Sequence, residues 1–145
     1  MTSAAQEEPL LVQIAHTCRA LMHTFEQCVG ISQARLLILS VLLLEKEVSQ
    51  SMLQQRVQVD GAAITRQVRQ LEAEGLIERR TAPHDNRSTL VALTPSGRQA
   101  AGELLAAREV FETAITEGLS QEEIAVLRRF LYHIHKNTKR VGARK

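Results

Sequence analysis

The chain has 145 residues, enough for one domain with its own core. Its aromatics are three Phe and one Tyr, too few for a base-stacking surface of the kind that holds single-stranded nucleic acid. A formal net charge of +2 excludes a polycation, so local clusters of Lys and Arg must hold any anionic partner.

The opening "MTSAAQEEPL" carries acids where a secretory signal carries bases, and it lacks an apolar stretch. The apolar run Leu36 to Leu44 is too short to span a bilayer. A soluble cytoplasmic protein with no membrane partner is expected. Leu11, Ile14, Cys18, Leu21, Met22 and Phe25 recur at helical spacing and predict a first helix over 8–29, ended near Gly30. Cys18 shares that stripe, so its thiol is expected to be desolvated and mainly structural. Cys28 stands ten residues on, a rise of roughly 15 Å, whereas a disulfide needs Cα atoms within about 7 Å. The two are therefore not expected to bridge within one chain.

Ser32 caps a second helix through Glu45, whose run from Leu36 to Leu44 is apolar on nearly every side and predicts burial all round. Ser49 caps a short third helix, "SQSMLQQRV". "VQVDGA" reads as a turn, with Asp60 capping a fourth helix that Gly75 ends. The period then changes from 3.6 to 2: "LIERRT" and "STLVALT" read as strands joined by "APHDNR". Thr94-Pro95 starts a fifth helix, broken at Gly118. Ser120 and Glu123 form a capping box for a sixth, and a basic tail, "KNTKRVGARK", closes the chain.

Two short helices joined by a tight turn and followed by a hairpin describe a winged helix-turn-helix, in which the second helix of the pair enters the major groove. The fourth helix fits that role. With Ile64 at zero and about 100° per residue, Val68, Leu71 and Gly75 fall within about 40° of it, a core-facing stripe. Ala62, Arg66 and Arg69 lie opposite, with Ala63 and Gln70 on one flank and Thr65 on the other. Small residues at the N-terminal end allow close approach, and two arginines one turn apart reach guanine edges or phosphates. A solvated helix face carries such residues too; the hairpin directly after it favours DNA. Ser49, Gln50 and Ser51 at the start of the third helix, and His84, Asp85, Asn86, Arg87 and Ser88 at the wing, complete the expected DNA contacts. Arg87 would enter the minor groove, with Asp85 pairing to it and Pro83 stiffening the approach.

These residues resemble the MarR family of bacterial transcription regulators. The matching pieces are "AITRQVRQLEAEGLIERR", then Asp85-Asn86-Arg87 as the D-x-R wing motif, then "LVALTPSGRQ". The resemblance implies a mainly α fold with a small β hairpin: a winged helix-turn-helix lobe over 32–95, and N- and C-terminal dimerisation helices over 8–29 and 96–138, within one domain spanning 1–145. It further implies a homodimer on a pseudo-palindromic double-stranded operator, often a repressor released by a small molecule or by oxidation. Ala62 stands where many members have serine, Arg69 where an acid or asparagine is common, and Gln70 where arginine is common; Gln58 lies where the turn often has glycine.

Other classes find less support. No P-loop, Rossmann fingerprint or G-x-S-x-G occurs, so no enzyme is expected. His16 and His23 share a face of the first helix, but Cys18 and Cys28 lie on other faces, and His133 and His135 point apart; neither a metal site nor a cofactor is expected. A redox sensor would use Cys18 or Cys28, yet the tyrosines that support such a thiolate in related sensors are reduced here to Tyr132. For a small-molecule effector such as a phenol, His16, Arg19, His23 and Arg35 are the polar candidates, with Arg19 placed to hold a carboxylate or phenolate.

Overall fold

A computed structural model describes residues 8–58 and 60–143. The readings made on residues 1–7, on Val59 in the turn before the fourth helix and on the last two residues of the basic tail lie outside the described residues.

Helix α1 (Leu10–Val29) ends at Gly30, whose N–H still donates to the Glu26 carbonyl and whose φ of 79° then turns the chain out of the helix. The apolar stripe of α1 meets the core only at its C-terminal end. Phe25 and Val29 are buried, and Phe25 sets its ring edge-on to Phe111 with centroids 5.4 Å apart. Farther up the helix Ile14 and Leu21 are half-buried and Leu11 is 77% exposed. Helix α2 (Gln33–Glu45) is capped by the Ser32 hydroxyl, which accepts from the Arg35 N–H. Leu36, Ile38, Leu39 and Leu42 are buried, with Leu37, Val41 and Leu43 packed around them. Burial all round is not achieved: Leu44, at the C-terminal end, is 84% exposed. Among the described residues no single helix is long and apolar enough to cross a membrane.

A short strand, β1 (Glu47–Ser49), follows through Lys46, which turns the chain at φ 65° and ψ −57°. Ser49 then caps α3 (Gln50–Val57) through the Met52 N–H. Gln58 ends α3 in the left-handed region, and Asp60 caps α4 (Gly61–Ala73) by accepting from the Ala63 N–H. Leu53 and Val57 from α3 join Ile64, Val68 and Leu71 from α4 in the core, so the expected stripe is the one that packs.

Gly75, at φ 73°, leads into β2 (Ile77–Ala82), which pairs with β3 (Asp85–Leu93) in a three-stranded antiparallel sheet of order β1-β3-β2. Ile77, Val48, Val91 and Leu93 make its buried side. The hairpin turn is shorter than the expected "APHDNR". Ala82 already pairs with Asp85, while Thr81 pairs with Thr89, so Asn86, Arg87 and Ser88 form a bulge inside the ladder. β1 was not expected at all; it pairs with β3 through Val48 opposite Val91.

Helix α5 (Pro95–Ile115) starts where Thr94 accepts from the Gly97 N–H. Gly97 packs against the backbone of Leu76 so closely that a Cβ there would lie 1.7 Å from the Leu76 carbonyl oxygen. Two compact units divide the chain between Phe111 and Glu112. The second carries α6 (Gln121–Gly142), opened by the Ser120–Glu123 capping box and running past the expected end at 138. None of its residues is buried in this chain, and Leu127, Phe130, Leu131 and Ile134 are exposed.

Candidate nucleic-acid interface

Helix α4 presents what its sequence pattern requires. With Ile64, Val68 and Leu71 turned into the core, Ala62, Arg66, Arg69 and Gln70 stand exposed and Ala63 and Thr65 are half-buried beside them. Thr65 is anchored rather than free: its hydroxyl donates to the Gly61 carbonyl at 2.9 Å and accepts from the Gln50 amide at 3.2 Å. Gln50 and Thr65 therefore lock the start of α3 against the first turn of α4. Gly61 leaves room for the Gln54 side chain, whose amide atoms would lie 3.2 Å from an added Cβ.

The start of α3 also meets the wing. A cleft of about 290 Å³ is lined by Ser49, Gln50, Ser51 and Gln54 from one side and by Arg87, Ser88 and Thr89 from the other. Five of the expected contacts thus come together across two elements. Gln54 and Thr89 were not among them. Gln54 lies one turn after Gln50 on the same face, a spacing legible in the sequence; the position of Thr89 depends on the bulge and had no such signal.

At the wing tip Asp85 does not pair with the Arg87 guanidinium as expected. Its Oδ1 accepts from the Arg87 backbone N–H at 3.0 Å and its Oδ2 from the Ser88 hydroxyl at 2.6 Å. Those bonds, the Ser88 hydroxyl foremost, hold the carboxyl below its ordinary 3.8. The acid is used to shape the bulge, and the Arg87 side chain is left to line the cleft. His84 and Asn86 are exposed beside it.

The seven arginines between residues 32 and 95 sort into two sets. Arg35 pairs with Glu74, Arg56 with Glu45 at 2.8 Å, Arg79 with Glu72 at 2.5 Å and Arg80 with Glu47 at 2.6 Å. Arg66, Arg69 and Arg87, the three expected to contact DNA, are in no ion pair among the described residues.

The four residues expected to line an effector site are not brought together. His16 contacts Glu8 at 2.9 Å on the exposed face of α1, where Arg19 and His23 also stand. Arg35 is instead committed to Glu74 at the C-cap of α4, with its Nε buried and unpartnered. Cys18 departs from expectation too. It is exposed, as is Cys28, because the chain itself fully buries only Phe25 and Val29 of α1. Among the described residues no three His, Cys, Asp or Glu side chains cluster closely enough to hold a metal ion.

Comparison with known proteins follows the same lines. A sequence model of the MarR family matches residues 31–89. The chain is 37% identical over 139 residues to the uncharacterized HTH-type transcriptional regulator YdgJ of Bacillus subtilis (strain 168), covering 96% of this chain and 85% of that protein. The fold matches a mutant MarR from E. coli complexed with operator DNA with a TM-score of 0.79, at 23% identity over 87% of this chain and 93% of the other. It matches the PcaV transcriptional regulator from Streptomyces coelicolor, in complex with its natural ligand, with a TM-score of 0.84, at 20% identity over 94% and 98% of the two chains.

Proposed function

The chain belongs to the MarR family of DNA-binding transcriptional regulators, and on that premise we propose that it is a cytoplasmic, homodimeric repressor of a pseudo-palindromic operator, released by a small phenolic or other organic ligand. The sorting of the arginines carries the DNA assignment. A folded lobe neutralises the cations it uses for its own structure; those left without an acid on one helix face and one hairpin tip are available to a polyanion. Arg66 and Arg69 on α4 then serve the major groove, and Arg87 the adjacent minor groove. The cleft between α3 and the wing, with the Arg87 side chain and the Ser49–Ser51 hydroxyl pair, suits a backbone phosphate between them.

The homodimer rests on surface that one copy leaves open. Leu10, Leu11 and Met22 on α1, and Leu127, Phe130 and Leu131 on α6, are exposed apolar side chains of the kind that marks an interaction site. A second copy covers them and sets two half-sites about 34 Å apart, one helical turn of DNA. Release by a ligand is supported by the natural-ligand complex of a regulator with this fold. Arg19, with His16 and His23 on the same exposed helix, offers the charge that a carboxylate or phenolate needs. This role is one of binding and not of catalysis.

Exposure of both thiols in the single chain, Cys28 outside the Leu11–Cys18–Met22 stripe, supports a second reading, in which oxidation of Cys18 or Cys28 releases DNA. One experiment separates the two. Fluorescence anisotropy follows binding to the DNA flanking the protein's own gene, with phenols, with mild peroxide, and with Cys18→Ser and Cys28→Ser variants. Release by a phenol in the double variant supports the ligand reading. Release by peroxide alone, lost with one thiol, supports oxidation. No binding in any condition overturns both.

A further inference from the structure

The wing carries two adjacent arginines, Arg79 and Arg80, and neither is offered to DNA. The Nε and Nη2 of Arg79 donate to a single oxygen of Glu72, at 2.9 and 2.5 Å. The Nε and Nη2 of Arg80 donate to the two oxygens of Glu47, at 2.8 and 2.6 Å. Successive residues of a strand face opposite sides of the sheet. Arg79 stands opposite buried Val91, on the side that meets α4. Arg80 stands opposite Leu90 on the other side, and it reaches over β3 to Glu47 on the far strand. The hairpin is therefore tied to the recognition helix on one face and to the far edge of the sheet on the other.

Apolar packing anchors the base of the hairpin, through Ile77, Val91 and Leu93, and does not continue to its tip. Ile77 is the one buried residue of β2, and Glu78, Arg80 and Thr81 beyond it are exposed. Among the described residues these two ion pairs are the side-chain hydrogen bonds that join β2 to other elements. Their ends are placed at the functional groups. Glu72 lies one turn beyond Arg69 on α4. Arg79 lies four residues before the turn at Pro83, a reach of roughly 13 Å along an extended strand. A swing of about 10° at Arg79 would move the tip by about 2 Å on that arm, enough to break a groove contact.

We propose that the Glu72–Arg79 and Glu47–Arg80 pairs are positioning devices that set the angle of the wing against the recognition helix, so that Arg87 and the α4 arginines meet adjacent grooves of one half-site. The inference rests on the DNA assignment above and adds to it the residues that fix the reading geometry. Hydrogen bonding to the arginines holds both carboxyls below their ordinary 4.5, which keeps the pairs ionised at neutral pH.

The test uses the full-length protein and the duplex flanking its own gene. Glu72→Ala removes a negative charge beside DNA and frees Arg79, so charge alone predicts tighter binding. Positioning predicts binding weaker by about tenfold, with hydroxyl-radical protection of the minor groove lost and guanine N7 protection in the major groove kept. The salt slope should fall by about 1, as for one lost contact. Exchanging the pair, Glu72→Arg with Arg79→Glu, should restore minor-groove protection. Unchanged or tighter binding by folded Glu72→Ala, or equal loss of both protections, overturns the proposal. Should Glu72→Ala melt before it can be assayed, Glu47→Ala on the outer face takes its place with the same expected pattern and the same reversal. Arg66→Ala and Arg87→Ala distinguish the two levels: if they too leave binding unchanged, the DNA assignment itself fails, and if they weaken it while Glu72→Ala does not, only the positioning role fails.

Discussion

Asp85 holds Arg87 by its backbone. The carboxylate accepts the Arg87 N–H at 3.0 Å and the Ser88 hydroxyl at 2.6 Å, and the guanidinium is left outside that arrangement. An acid beside an arginine proposed to contact DNA thereby acts through the shape of the bulge, since a phosphate would repel it.

Asp85→Ala should therefore weaken DNA binding, by about 3- to 10-fold, although it removes a negative charge from the tip. Asp85→Asn keeps an oxygen acceptor for the Arg87 N–H and should fall between wild type and Ala. Anisotropy titrations on one duplex measure all three. Tighter binding by Asp85→Ala would mean that charge, and not the bulge, governs the wing.

Acid should loosen the wing in a defined window. Glu47 and Glu72 have folded pKa values lowered from 4.5, and Asp85 from 3.8, so each binds a proton less readily folded than unfolded. Their stabilisation is fully present above those ordinary values and is lost as pH falls through the lowered ones. Carboxyl-carbon NMR titration should find all three midpoints below the ordinary values. In Arg79→Ala the Glu72 midpoint should move back up while that of Asp85 stays put. A Glu72 midpoint that ignores Arg79 would remove the ion pair as its cause.

Arg66→Ala should cost about 1 to 3 kcal/mol in DNA binding and relax sequence preference if its contact is to a base. Arg69→Ala, with Arg69 on the same exposed face, should weaken binding in the same direction. Arg87→Ala should weaken binding with a smaller change in preference, because minor-groove width carries less sequence information. Competition against base-substituted duplexes measures both quantities. A larger preference change in Arg87→Ala than in Arg66→Ala would reverse the groove assignment.

What was legible in the sequence was local. The caps at Ser32, Ser49, Asp60 and Ser120, and the Ile64–Val68–Leu71 stripe, each involve groups within a turn or two of one another. What was not legible depends on distant partners. β1 has three residues, too few for alternation to register, and it exists because β3 offers an edge. Arg79 and Arg80 look like DNA ligands by residue type; their acids lie 7 and 33 positions away. The exposure of Cys18 follows from how little of α1 the chain itself covers, and an apolar stripe does not say whether its partner is the same chain.

Two glycines of α5 should respond oppositely to alanine. Gly97 has no room: a Cβ would meet the Leu76 carbonyl oxygen at 1.7 Å, so the backbone of β2's approach or of α5 has to shift. Gly97→Ala should destabilise by about 3 kcal/mol, the upper end of the overpacking range. Nothing lies within 4 Å of a Cβ at Gly102, and alanine there gains helix propensity, so Gly102→Ala should stabilise by up to about 1 kcal/mol. Urea unfolding at one fixed protein concentration measures both. A destabilised Gly102→Ala would point to a surface packed on that position in the assembled protein.

Lys46 and Gln58 are the two described non-glycine residues with positive φ, and they should differ in what glycine does for them. Gln58, at φ 56° and ψ 37°, sits in the ordinary left-handed well. There an L residue costs about 1–2 kcal/mol, and glycine's greater freedom in the unfolded chain takes back about 0.5–1 kcal/mol. Gln58→Gly should therefore gain about 0.5 kcal/mol. Lys46, at φ 65° and ψ −57°, lies in the rarer and more strained region of a γ-turn, where a Cβ is crowded further. Lys46→Gly should gain more, about 1–2 kcal/mol, by releasing the turn between α2 and β1. Thermal melts at matched concentration should rank Lys46→Gly above Gln58→Gly and both above wild type. The reverse order would mean that the Lys46 side chain itself stabilises this turn by more than its backbone strain costs.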